Sequence, residues 1–294
     1  MADSLLSAAQ KAKIVRSISK ENFKQVISVL DSVKTLHSGT AKMKDKRFTI
    51  AEIVKYIIEK FKGTTDKQLE KIFYSAGKKI CAIKSDNAKE VGVHVIWRGY
   101  DHDKKSVTAA LMKIADDPNW EVREYAAGAI SATVYKYKDF YNTLEKWRKH
   151  PSENVRRAVV MSAWGLRDRQ NPTSALKAFA LLEPLLYDSS VYVKKNLGPF
   201  AIGSWYGNAF PKETLKQLDK WVKIKNENVR WNVAMAFNNS FGNKYPDRAL
   251  KFLKTLSKDK SKIVRKAVTS TLRTLRKRHI ALINQFIQQS GLTI

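Results

Sequence analysis

The sequence predicts an all-α solenoid (superhelix) of two-helix repeats, and three observations carry that expectation. First, five stretches repeat one pattern: NWEVREYAAGAI (119–130), SENVRRAVVMSA (152–163), SVYVKKNLGPFA (190–201), NENVRWNVAMAF (226–237) and SKIVRKAVTSTL (261–272). Each holds a valine followed by a basic residue, and Val122, Val155, Val193, Val229 and Val264 stand 33, 38, 36 and 35 residues apart. That period suits a helix–turn–helix unit that buries its apolar face only by stacking on its neighbours. Second, turn residues are sparse, with 12 Gly and 7 Pro in 294 residues. A sandwich or barrel of many short strands would need more. Third, a hydrophobic content of 44% supports a core and excludes wholesale disorder.

Taken in order, residues 2–36 and 49–84 read as N-terminal helices joined by the polar linker HSGTAKMKDKRF (37–48). AKEVGVHVIWRGY (88–100), followed by KKSVTAALMKIADD, is an imperfect repeat. Beyond it, DFYNTLEKWRKHP, SALKAFALLEPLLYD and KETLKQLDKWVKIKN supply the first helix of each pair, and the valine stretches supply the second. Asn119, Ser152, Ser190, Asn226 and Ser261 precede the valines where an N-cap belongs, since their side-chain oxygens can accept an N–H that the first helical turn leaves unbonded. Pro151 and the turn YGNAFPKE break helices. The expected organisation is one repeat domain over 1–294, with 1–84 as N-terminal helices, 85–280 as clear repeats and 281–294 as the end of the last helix.

Charge indicates the partner. Lys and Arg number 55 against 27 Asp and Glu, a net charge of +28, which implies a polyanion: nucleic acid first, an anionic membrane surface second. In a curved stack the second helices line the concave face. Arg123, Arg156, Lys194, Arg230 and Arg265, with Arg157, Lys195 and Lys266 beside them, would then form a ladder along a phosphate backbone. The first basic residue of each pair can instead bond to acidic groups between repeats. From Lys244 to His279 there are 13 Lys or Arg and only two acids, Asp247 and Asp259.

Other chemistry is thin. Cys81 is the single cysteine, so no intrachain disulfide or cysteine zinc cluster can form. The five histidines show no metalloprotease spacing, and no P-loop or nucleophile-elbow string occurs. DHD (101–103) reads as a polar loop, and Trp97 and Tyr100 beside Arg98 as core aromatics. The opening MADSLLSAAQKAKIVRS lacks the unbroken apolar run of a signal peptide, and no stretch reaches 18 apolar residues. The expectation is a cytoplasmic monomer that binds DNA, with no membrane, metal or cofactor.

DDPNWEVREYAAGAI, PSENVRRAVVMSAWG and LLEPLLYDSSVYVKKNLGPF resemble the HEAT-like-repeat alkylpurine DNA glycosylases, the AlkC/AlkD superfamily, over roughly residues 85–280. W-E-V-R-E and P-L-x-x-D-x-S-x-Y-V are most similar to the AlkC branch. The resemblance implies excision of cationic bases such as 3-methyladenine and 7-methylguanine from duplex DNA, in a bacterial cytoplasm or nucleoid. Such a base already carries positive charge, so its glycosidic bond is weakened. The enzyme must stabilise the cationic sugar and place a water, which a carboxylate does, while an indole face attracts the cationic base. Trp120 and Glu124, four apart and hence on one helical face, match the family's aromatic–carboxylate pair. Arg157 matches its DNA-contacting arginine, and Trp164 with Asp168 forms a second, weaker aromatic–acid pair. The chain departs from the family at Pro199, where a cleft tryptophan is expected, and at Met161 and Gly203, where the AlkC branch places further carboxylates. Trp205 and Tyr206 could supply a displaced aromatic wall. Two other readings follow from these departures: a noncatalytic repeat protein that binds duplex or branched DNA, and an interaction solenoid for an acidic protein or RNA.

Overall fold

Every N-cap expected from the repeats opens a helix. Asn119, Ser152, Ser190 and Asn226 each accept a backbone N–H from the first turn that follows. Ser261, also an N-cap, instead donates its hydroxyl to Glu227, at 2.5 Å. The computed structural model describes residues 4–33 and 40–292, side chains at 40–42 excepted. Seventeen α-helices and no strand occur among the described residues, and the fold is the expected all-α stack of two-helix repeats. Contacts divide the chain into two compact units, Met1–Phe140 and Tyr141–Ile294.

The first unit holds α1 (Ala8–Ser19), α2 (Phe23–Asp31), α3 (Thr40–Lys60), α4 (Asp66–Cys81), α5 (Asp86–Ile96), α6 (Lys104–Ala115) and α7 (Trp120–Lys136). Helix α5 is central: it packs on α3, α4 and α7, and Val91, Val93 and Val95 are all fully buried. The expected polar linker is corrected here. Residues 37–39 lie outside the described residues, but 40–48 are the first turns of α3. Their polar side chains hid a buried face. Asp45, Lys46 and Thr49 are buried; Asp45 accepts from the Ser4 hydroxyl at 2.5 Å and from Leu5 N–H at 2.9 Å. Lys46 forms an ion pair with Glu90 of α5, both side chains out of solvent, and reaches Glu121 of α7 at 3.6 Å. A lone buried charge would cost several kcal/mol, at least about 3, so α3 is held by pairing that apolar periodicity cannot register.

The second unit holds α8 (Tyr141–Trp147), α9 (Glu153–Ser162), α10 (Ser174–Leu182), α11 (Val191–Asn196), α12 (Pro211–Trp221), α13 (Glu227–Met235), α14 (Ser240–Lys244), α15 (Pro246–Ser257), α16 (Lys262–Arg276) and α17 (Ile280–Ser290). The second helices pack in series, α9 on α11 and α13 on α16. One device recurs between them. Arg156 on α9 donates to both oxygens of Asp188, at 2.6 and 3.2 Å, and its third nitrogen donates to His150 and Pro151 carbonyls at 2.8 and 2.7 Å. Asp188 also accepts the N–H of the next cap, Ser190, at 2.8 Å. Arg230 on α13 repeats this with Asp259 and the Ile224 carbonyl, and Asp259 accepts from Ser261 N–H at 2.8 Å. The basic residue after the valine therefore ties its own loop to the loop of the following repeat.

Helix α11 continues into a π-helical segment, Leu197–Gly207, a geometry that is rare and recurs at functional sites. Its close packing explains Gly203. A Cβ there would stand 2.0 Å from the Ala236 carbonyl oxygen, so the carboxylate that the AlkC pattern would place at this position has no room.

Burial alone would raise the Asp259 carboxyl, but its bonds from Arg230 and Ser261 outweigh this and hold it below the ordinary carboxylate range. Its contribution to stability is therefore complete above the unfolded value of about 3.9 and is lost as pH falls through the lower folded value. Asp259→Asn is expected to lose about 2–3 kcal/mol at pH 7 by urea unfolding, with the deficit against wild type shrinking below about pH 4.

Candidate active site and nucleic-acid interface

In the first unit α3, α5 and α7 enclose a cleft of about 810 Å³. Glu124 lines it, together with Tyr125 and Gly128 of α7, His94 of α5, Arg98, and a face of α3 that includes Arg47, Ile50, Val54 and Ile58. Glu124 is half-buried, whereas Trp120, one turn earlier, is 55% exposed and is not among the cleft's lining residues. The expected pair thus shares a helix but divides between cleft wall and open surface. Arg123, between them, donates to the Asp117 and Pro118 carbonyls at 2.7 and 2.9 Å and closes its own loop.

The floor of the cleft is aromatic. The His94 and Tyr125 rings meet edge to face at 5.7 Å, and the Lys46 ammonium sits over Tyr125 at 5.1 Å. Burial, with Arg98 and Arg47 nearby, pushes the His94 imidazole down to about 4, so it is neutral at pH 7. Burial likewise lowers Arg98 to about 10, and its guanidinium covers Trp97 at 4.6 Å. The α3 side of this cleft was missed in the sequence because 37–48 read as linker. The spacing Met43, Arg47, Ile50, Val54, Ile58 is nonetheless the helical stripe that could have revealed it.

In the second unit the predicted ladder separates into two kinds of cation. Arg156 and Arg230 are braces, as described above. Lys194 is buried, donating to Asn228 at 2.7 Å beneath the Trp231 ring at 4.7 Å. Arg265 bonds the Asp259 and Lys260 carbonyls at 2.6 and 2.8 Å. Arg157, expected at the DNA surface, is only 3% exposed; it lies over the Tyr192 ring at 5.3 Å and reaches Asn196 at 3.3 Å. These placements correct the ladder: residues beside the valine face the next repeat, where burial demands a partner. Lys195 and Lys266 alone of the predicted set stand exposed with no brace role shown.

The aromatic–acid pair at Trp164 and Asp168 is also corrected. The helix tightens into a 3-10 turn over Ala163–Leu166 and ends, so the two residues do not share a helical face. Asp168 closes the following loop, accepting Gln170 N–H at 2.9 Å. Trp164 instead meets Trp205, at 5.6 Å between rings, and carries the Arg167 guanidinium at 4.2 Å. Both indoles are half-buried. Tyr206 is no surface wall: it is fully buried and donates to the Ala163 carbonyl at 2.6 Å.

The strongest open cationic surface lies on α16. Lys262, Lys266, Arg273 and Lys277 line a groove of about 710 Å³ with Thr269, Ser270 and Thr274, and the helix has no acidic residue. Opposite this stripe Val264, Val268, Leu272 and Leu275 are buried, so the basic side chains cannot turn inward. Among the described residues no helix is long and apolar enough to cross a membrane, and no cluster of three or more His, Cys, Asp or Glu could hold a metal ion.

Residues 199–293 match the model of a family described as DNA alkylation repair enzyme, a span within the second unit. No curated protein matches the chain. Among solved structures, AlkD2 from Streptococcus mutans shares its fold, with a TM-score of 0.52 and 19% identity over 73% of this chain and 97% of its own. A designed armadillo repeat protein aligns over 74% of this chain and 98% of its own at 18% identity, with a TM-score of 0.27. The resemblance to the DNA alkylation repair enzymes is therefore carried by sequence in 199–293 and by fold in the match to AlkD2.

Because the His94 value is depressed from an unfolded value near 6.5, its contribution to stability is present above that pH and is lost as pH falls toward the folded value of about 4. Urea unfolding from pH 7.5 to 4 is expected to show wild type losing roughly 2–3 kcal/mol relative to His94→Gln, and parallel pH profiles would contradict this placement.

Proposed function

We propose, from the resemblance to DNA alkylation repair enzymes and the setting of Glu124, that the protein is a monofunctional DNA glycosylase for cationic N3- and N7-alkylated purines. The observation that carries the reading is a single carboxylate, Glu124, on the wall of a largely apolar cleft in a chain of net charge +28. In such a cleft a fixed negative charge interacts with a developing cation more strongly than in water. As the bond between C1′ and the purine nitrogen lengthens, its electron pair passes to the base, which leaves neutral, and the sugar becomes cationic. Glu124 stabilises that cation and orients a water whose oxygen bonds to C1′, then takes up the proton released. Trp120, exposed one turn away, offers an indole face to DNA beside the lesion. The α16 stripe, Lys195 and the Trp164–Trp205 pair contact the duplex, the cations through phosphates and the indoles by stacking. No cofactor enters, and the protein acts as a monomer in the cytoplasm.

A noncatalytic DNA-binding role is the second reading, favoured by two observations: Arg157 is buried, and Gly203 leaves no room for a second carboxylate.

Incubation with methylated duplex DNA separates the two. Wild type is expected to release 3-methyladenine and 7-methylguanine, and Glu124→Gln to lose about 100-fold or more in rate with duplex affinity within about twofold. DNA binding without base release would establish the second reading; unchanged release by Glu124→Gln would remove this residue from the reaction.

A further inference from the structure

Glu124 is one edge of a cleft far larger than a carboxylate needs in order to face a sugar, and the remaining lining has a chemistry of its own. The α3 side is apolar yet uncovered: Met43 and Ile58 are 39% and 48% exposed, with Ala51 and Val54 between them. Opposite stand the Tyr125 and His94 rings, and the Tyr125 hydroxyl is buried with no hydrogen-bond partner among the described residues. Arg47, Lys55 and Arg98 outnumber Glu59 and Glu124 on the lining. The occupant that fits has a planar, mainly apolar part and an anionic part. Its volume of about 810 Å³ lies inside the range of roughly 300–1,000 Å³ typical of small-ligand sites.

Gly128 supplies the second observation. A glycine in the middle of a helix such as α7 costs about 1 kcal/mol against alanine, so its presence needs a reason. Packing does not require it: a Cβ there would lie 3.4 Å from His94 Cε1 and Nε2, an ordinary contact. What the missing side chain does is leave the His94 edge of the cleft open.

The geometry points to a pocket for one purine nucleotide turned out of a DNA duplex, its base between the α3 apolar face and Tyr125, its flanking phosphate at Arg47 and Lys55. This rests on the reading that DNA is the partner and goes beyond it, because sugar-cation stabilisation by Glu124 does not itself require the base to leave the stack. Extrusion costs stacking and pairing, and that cost is least for a base that is already mispaired, damaged or unpaired. A pocket lined by apolar and aromatic groups returns it. The rings bind the base face, the apolar stripe excludes water, and neutral His94 adds no repulsion toward a cationic purine.

The test uses a duplex carrying one bulged, extrahelical adenine, the same duplex with an abasic residue at the bulge, and a fully paired duplex. Wild type is expected to bind the bulged adenine about tenfold more tightly than the abasic bulge. Gly128→Leu and Ala51→Leu, which fill the cleft from opposite walls, should abolish that preference and leave affinity for the paired duplex unchanged; Gly128→Ala should keep it. Thermal unfolding of each variant establishes that it is folded. Equal affinity for the two bulges in wild type, or a preference that survives both leucine variants, overturns the pocket. Base release from methylated DNA without the preference overturns the pocket alone. The preference without base release leaves the pocket standing and overturns the glycosylase reading, and absence of DNA binding overturns both.

Discussion

The structure of the second unit depends on one contact made twice: an arginine on the second helix of a repeat gripping an aspartate in the loop of the next. Arg156 with Asp188 and Arg230 with Asp259 are partly desolvated forked pairs, and each arginine also collects the carbonyls of its own preceding loop. The aspartate is fixed from its other side by the N–H of the next helix cap. A guanidinium has five donors in a rigid plane, which is why one residue can set the position of two loops at once. The first unit makes a looser version with Lys89, which bonds Asp117 at 2.8 Å, while Asn119 N–H caps the same carboxylate at 2.9 Å. Helix spacing, and with it every surface the repeats present, follows from this contact.

It also divides the positive charge by purpose. Arginines engaged in braces have their donors occupied and contribute mainly a diffuse field. The residues left to meet a polyanion are those whose neighbours give them no internal work, above all the α16 stripe of Lys262, Lys266, Arg273 and Lys277. The same logic governs the acids: Asp188 and Asp259 belong to the scaffold, Asp168 to a loop, and Glu124 lines a cleft. A carboxylate on an apolar wall is a poor scaffold and a good electrostatic catalyst.

The repeats were legible because valine burial and capping are local: Val122, Val155, Val193, Val229 and Val264 are all fully buried, and their caps fall where the spacing put them. The roles of the basic residues were not legible, because the partners that decide them lie about thirty residues on, as Asp188 does for Arg156 and Asp259 for Arg230. The start of α3 was lost for a related reason, since Asp45 and Lys46 are buried by pairing and read as polar. With it went most of the cleft, although Glu124, its carboxylate, was found from the four-residue spacing after Trp120. The π-helical segment had no sequence signature apart from its glycines, and its geometry is what buries Tyr206 and closes position 203 to a side chain.

The division of cations between scaffold and interface is the central claim, and the salt dependence of duplex affinity tests it most directly. Replacing Lys262, Lys266, Arg273 and Lys277 together by alanine should flatten the slope of log affinity against log salt by about 3, near the 0.9 expected per phosphate contact. Arg156→Gln and Arg230→Gln, at temperatures where both remain folded, should leave that slope unchanged while lowering stability. A slope that falls with the brace variants and not with the α16 variant would contradict the account.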